Sequence, residues 1–209
     1  MYQKKYLALA EHYEKVLDEH GDSTRGMDWP REDDQLVRFG VMTDLFRSHV
    51  GSFSLLDFAC GSSLYYPFVA NEFSADNLTY SGIDISQKSI AMAKRKFPGN
   101  EYLCCDILAS EEALNEYDFI VINGLFTQKG DLSDSDMTEF MKAVLSKIFP
   151  SVRRGLAFNT MSDTVDFRKP GAYHADTKMM LQFVYENLSK RYVLRNDYGL
   201  YESTLYVYK

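Results

Sequence analysis

Short apolar runs alternate with amphipathic stretches from residue 54 to residue 189, and the first three runs each carry an aspartate toward their carboxyl end. The runs are 54–59, 78–85 and 101–107, and the acids are Asp57, Asp84 and Asp106. Consecutive strands separated by a helix cannot pair as a hairpin, so they lie parallel, with helices covering both faces of the sheet. In such sheets ligands bind outside the carboxyl ends of the strands. Acids repeated at that edge therefore describe a site for a hydroxyl- or amine-bearing ligand such as a nucleoside.

The spacing predicts further elements on both sides of this core. Residues 2 to about 20 read as a helix with Tyr6, Leu9, Ala10, Tyr13, Val16 and Leu17 on one face, ended by Gly21. A loop from 21 to 30 carries Trp29, and a second helix follows from 32 to about 49. Its expected buried side is Leu36, Phe39, Gly40, Met42 and Phe46. After strand 54–59 come a helix over 63–73, strand 78–85 and a helix over 87–97 capped by Ser86. Strand 101–107 is followed by strand 117–123, a near-continuous apolar run suited to burial on both faces. A helix over 136–149 is expected to start in a capping box of Asp136 with Glu139. Strand 155–160 and a helix over 176–189 complete the alternation. The runs 191–195 and 203–208 are separated by too few residues for a parallel crossover, so they pair antiparallel. The expected fold class is α/β: a doubly wound, mostly parallel, seven-stranded sheet with an antiparallel C-terminal hairpin. The chain reads as a single domain over 1–209, with 1–49 as a helical N-terminal cap and 50–209 as the α/β core.

Composition narrows the partners. The formal net charge is -7, which argues against a broad grip on nucleic acid. The basic cluster Lys94-Arg95-Lys96 ends a helical pattern, where cations complement the helix dipole. Cys60, Cys104 and Cys105 form neither a disulfide framework nor a zinc-type spacing, so no metal is expected and a reducing cytoplasm fits. No apolar run approaches membrane-spanning length, and the start of the chain does not read as a signal peptide. With 15 Tyr and 14 Phe, some aromatics are expected to line a pocket for a flat or apolar ligand.

The turn after the first strand, Ala59-Cys60-Gly61-Ser62-Ser63-Leu64, lacks the G-x-G-x-x-G spacing that seats a pyrophosphate on a helix N-terminus. A dinucleotide site is therefore disfavoured. The stretch Asp57-Phe58-Ala59-Cys60-Gly61-Ser62-Ser63, with Asp84, Asp106 and Asn123-Gly124-Leu125-Phe126, resembles the class I S-adenosylmethionine-dependent methyltransferases over residues 50 to 209. The resemblance implies a Rossmann-like methyltransferase fold whose last strand runs antiparallel between the fifth and the sixth. It implies S-adenosyl-L-methionine as cofactor. Asp57, Ala59, Cys60 and Gly61 match the Gly-rich turn around the methionine moiety. Asp84, with Ile85, matches the acid that accepts both ribose hydroxyls. Asp106 matches the acid near the adenine amine, with Ile107 against the ring. Asn123 and Gly124 match the loop beside the transferred methyl. Ala59 and Ser63 stand where the family usually has glycine, and Ala59 opposes the positive φ that glycine adopts freely. The looser similarity is to bacterial small-molecule methyltransferases of surface-polysaccharide or secondary metabolism. The segment after strand 117–123 lacks the paired prolines of many nucleobase amino-methyltransferases.

Acceptor residues are expected among loop and cap side chains. Arg38 could fork onto the methionine carboxylate or pair with Asp34. Trp29, Tyr66, Phe126 and Tyr173 are the aromatic candidates for substrate contact, though Trp29 could equally anchor its loop. One of Tyr65 and Tyr66 is expected to face the methionine moiety. A hydroxyl acceptor wants a general base, and His174 is the candidate, with Asn159 and Asp166 as positioning groups. Two other readings stay open: a cofactor-binding regulatory module that transfers no methyl, and a different transfer, such as aminopropyl, from the same cofactor or its decarboxylated form.

Overall fold

A computed structural model describes residues 5–29, 31–74, 76–111 and 113–209. Seven strands form one sheet in the order β3-β2-β1-β4-β5-β7-β6. They are β1 (Phe53–Phe58), β2 (Leu78–Asp84), β3 (Glu101–Cys104), β4 (Tyr117–Phe126), β5 (Val152–Met161), β6 (Tyr192–Arg195) and β7 (Glu202–Tyr208). β1 pairs in parallel with β2 and β4, β2 with β3, and β4 with β5. β7 runs antiparallel between β5 and β6, as the short connection before it requires. The sequence was legible here because the central strands carry apolar residues that alternate between opposite layers. Leu55, Val121, Ala157 and Tyr206 face one layer, and Leu56, Ile120, Leu156 and Leu205 the other.

The helices are α1 (Leu7–His20), α2 (Glu32–Asp44), α3 (Tyr65–Glu72), α4 (Gln87–Lys96), α5 (Asp134–Ile148) and α6 (Thr177–Asn187). α2, α3 and α4 supply one core layer, while α5 and α6 supply the other. Ser86 caps α4 and Asp176 caps α6 through side-chain oxygens that accept backbone N–H groups. The expected start of the first helix at residue 2 lies outside the described residues. Two expectations need correction. α5 starts earlier than expected, because Ser133 is its cap and Asp136, not Glu139, closes the capping box. In α2 the side chain of Leu36 is half exposed, and Gln35 and Arg38 are buried in its place. Each has a specific partner: Gln35 accepts from Thr24 at 3.0 Å, and Arg38 pairs with Glu202. No helix among the described residues is long and apolar enough to cross a membrane.

Candidate active site

A cleft of about 1040 Å³, counting its open mouth, lies at the carboxyl edge of β1, β2, β3 and β4. Its floor is the sheet edge, and its roof is α1 with the segment 26–29. Tyr6, Leu9, Ala10, Tyr13 and Leu17 from α1 and its first turn face into it, so the helical cap covers the site.

The turn after β1 shapes one wall. Ala59, Gly61 and Ser63 all have left-handed backbones, with φ of 61°, 55° and 66°. Ala59 thus keeps the conformation that its side chain opposes, contrary to the sequence-based expectation. The turn is fixed from several sides: Cys60 N–H donates to Ile83 O at 3.0 Å, and Gly61 N–H donates to Asp84 at 2.8 Å. The Ser63 hydroxyl lies 3.1 Å from Tyr80 Oη and 2.9 Å from Tyr102 Oη. A Cβ on Gly61 would collide with the Met27 methyl, so the cap packs directly on this turn.

Asp84 stands on the wall with each carboxylate oxygen accepting one backbone N–H, from Gly61 and from Ser86, both at 2.8 Å. Each oxygen retains further acceptor capacity, which suits a vicinal diol. Burial raises its pKa, and the two N–H donors oppose that rise. Asp106 lies just past the end of β3 rather than inside it. Its Oδ1 accepts from the N–H groups of Leu108 and Ala109, and its Oδ2 accepts from Tyr6 Oη at 2.7 Å. Ile85, Ile107, Leu108, Leu125 and Phe140 add apolar lining to the cleft that both acids face. Asp57 does not reach the cleft. It is buried behind the turn, where it accepts from Tyr80 Oη at 2.6 Å, and burial lifts its pKa to about 7. Cys60 is buried beside it.

At the β4 end, Trp29, Asn123, Gly124 and Leu125 line the cleft. Other expected residues sit elsewhere. Arg38 is buried against Glu202, and Trp29 lies over its guanidinium at 4.1 Å. Tyr65 is buried with its hydroxyl 2.8 Å from Thr43 Oγ1. Tyr66 packs between Tyr80 and Phe97, so neither tyrosine lines the cleft. Phe126 and Tyr173 are core residues, the latter with its hydroxyl 2.7 Å from Thr138 Oγ1. Asn159 is buried, with both ends of its amide engaged. His174 is buried off the cleft, and its Nδ1–H donates to Ser162 O at 2.6 Å. Asp166 is exposed in the loop after β5. The sequence reading missed Glu202, Tyr6, Tyr13 and Met27 as parts of this region. The helical face of α1 carried the signal for the two tyrosines, whereas nothing local marks Glu202. Among the described residues, Arg38 Nη1, Asn123 Oδ1 and His174 Nε2 are the buried side-chain polar atoms without a partner. All three belong to residues grouped around the carboxyl ends of β4 and β5.

Residues 55–148 match the methyltransferase domain family. A Mycobacterium tuberculosis H37Rv protein, Rv1506c, named provisionally as a methyltransferase, is 29% identical over 160 residues, covering 75% of this chain and 93% of its own. Among solved structures, the N-methyltransferase NodS of Bradyrhizobium japonicum WM9 with S-adenosyl-L-homocysteine is similar at a TM-score of 0.65 and 17% identity. That match covers 95% of this chain and 97% of NodS. The magnesium protoporphyrin IX methyltransferase of Synechocystis PCC 6803 with S-adenosylhomocysteine gives a TM-score of 0.62 at 14% identity, covering 99% and 96%. The two structural likenesses establish the fold.

Proposed function

We propose that this chain transfers a methyl group from S-adenosylmethionine to a small-molecule acceptor, with 1–49 as the cap over one catalytic unit. The observation that carries the reading is that Asp84 and Asp106 line one largely apolar cleft together with a left-handed turn. The fit is chemical. Asp84 has lone pairs left for ribose hydroxyls, Ile85 and Ile107 offer flat apolar contact to adenine, and the turn at Ala59 and Gly61 permits close backbone approach for the methionine moiety. The bound cofactor supplies an electrophilic methyl on a sulfonium, whose leaving group is neutral. The protein's own share is then alignment and exclusion of water. The cap residues Leu9, Tyr13, Met27 and Trp29 roof the cleft and keep solvent from its floor.

The roofed cleft and the net charge of -7 favour a small acceptor over nucleic acid. Asn123, Gly124 and Trp29 form the end where the acceptor meets the methyl. The unsatisfied polar atoms gathered around β4 and β5 support that placement, because buried polar groups normally find partners. His174 as general base requires its Nε2 lone pair to be uncovered, since Nδ1–H is already engaged.

Calorimetry with S-adenosylhomocysteine tests the donor site. Wild-type protein should bind it, and Asp84→Ala should weaken binding about 100-fold, as expected for losing hydrogen bonds to a charged acceptor. No binding by the wild type at high protein concentration would sink the reading. Label from methyl-labelled cofactor should appear in a small molecule heavier by one CH2. Binding without any such transfer would instead favour a regulatory module, and a different mass increment would mark another transfer.

A further inference from the structure

Trp29, Arg38, Glu202, Asn159 and Gly124 form a closed circuit drawn from five separate segments. The Trp29 ring lies 4.1 Å from the Arg38 guanidinium carbon. The same ring rests on Gly124, where a Cβ would come within 2.6 Å of Trp29 Cζ2. Arg38 donates from Nε at 2.7 Å, and also from Nη2, to Glu202 Oε1. Glu202 Oε2 accepts from Asn159 Nδ2 at 2.9 Å. Asn159 Oδ1 in turn accepts from the Gly124 N–H at 2.8 Å, which closes the ring. Asn159 and Glu202 are each 1% exposed and Arg38 8%, so water does not substitute for any of these bonds.

The donors and acceptors can be arranged in only one way. A carboxylate only accepts and a backbone N–H only donates, so the amide of Asn159 is held in a single orientation. The buried guanidinium and carboxylate are matched to each other, and removing either leaves the other stranded. Trp29 belongs to the cap, whereas Gly124 belongs to the end of the cleft where the acceptor is expected. The position of one therefore depends on the other.

We infer that Glu202 and Asn159 are positioning residues: they lock the cap-borne Trp29 to Gly124, so that closing the cap and shaping the acceptor end of the cleft are one event. The inference rests on the methyl-transfer reading above and adds to it two residues that do not line the cleft.

Trp29 is the only tryptophan in the chain, so intrinsic fluorescence reports on that ring alone. Acrylamide quenching should be measured without ligand and with S-adenosylhomocysteine, alongside thermal melts that establish folding. Glu202→Gln and Asn159→Asp each break the donor–acceptor order, and each should raise the quenching constant about fivefold, the scale of one lost hydrogen bond. The double variant Glu202→Gln/Asn159→Asp restores the order in reverse. Its new carboxylate accepts from Gly124 N–H and from the new amide, whose oxygen faces Arg38. Its quenching should return to within about twofold of wild type. Folded single variants with wild-type quenching would overturn the inference, as would a double variant no better than its parents. If the single variants do not fold, the double variant decides alone: a protected Trp29 supports the circuit and an open one rejects it. Failure of the wild type to bind S-adenosylhomocysteine would reject the methyl-transfer reading, while the ligand-free comparison would still decide the circuit.

Discussion

Ala59 shows how the site overrides a residue's own preference. An L-residue with a Cβ at φ 61° is strained by roughly 1 kcal/mol, yet the turn is tied to β2 through Cys60 and Gly61. Ser63, at φ 66°, is held in the same region by two tyrosine hydroxyls. Replacing Ala59 with glycine removes the strain and adds freedom to the unfolded chain, two effects of opposite sign. Strain relief is the larger here, so Ala59→Gly should stabilise the protein by about 0.5 kcal/mol. The urea midpoint should rise with an unchanged slope, and a fall would show that the turn is not left-handed in solution. Ser63→Gly should not gain in this way, because it loses the contacts to Tyr80 and Tyr102. The substitution of glycine by alanine was legible in the sequence. Its outcome was not, because the ties that enforce the turn come from β2, more than twenty residues away in the chain.

At the scale of elements, strands were easier to read than the boundaries of helices. β4 and β5 are apolar runs that no other element could bury, and β7 follows β6 too closely to lie parallel to it. The start of α5 was harder, since Asp136 can serve either as a cap or as the third residue of a capping box. The structure assigns the cap to Ser133, whose hydroxyl accepts from Asp136 N–H at 3.1 Å. Ser133→Ala should therefore cost about 1 kcal/mol, whereas Glu139→Gln, at an exposed position, should change stability by less than about 0.5 kcal/mol. Equal effects in denaturant titrations would restore the later start. The role of α1 as a roof followed from its apolar face, which needed something to cover. Arg38 was a different matter. Its sequence neighbour Asp34 was one possible partner, but the actual one, Glu202, is 164 positions away and only the β5–β7 register brings it near. Pairing between distant polar residues has no periodicity to betray it, so the acceptor end of the site was less legible than the donor end.

For the molecule as a whole, Asp57 and Asp84 make part of the stability depend on pH. Asp57 is fully enclosed, and its pKa rises from 3.8 to about 7 mainly through loss of hydration, with the Asp84 charge adding to the rise and the Tyr80 hydrogen bond opposing it. Asp84 shifts in the same direction. In the unfolded chain Asp57 ionises near its ordinary value, so between about pH 4 and pH 7 the native state holds a proton that the unfolded state has lost. Native stability from this group is thus fully present below about pH 4 and is lost as the pH rises through about 7, the opposite of a carboxylate held in an ion pair. The loss should be on the order of 4 kcal/mol. Asp57→Asn keeps an oxygen to accept from Tyr80 and never ionises. The variant should match wild type near pH 4.5 and exceed it at pH 8, by several degrees in Tm for a chain of 209 residues. The decisive quantity is the difference between the two proteins across that range, since every other titrating group is common to both. A constant difference from pH 4.5 to pH 8 would mean that Asp57 ionises alike in the folded and unfolded states. The carboxylate would then be hydrated, and the turn that bears Ala59 and Ser63 would have to stand further from Tyr80 than the 2.6 Å bond between Tyr80 and Asp57 allows.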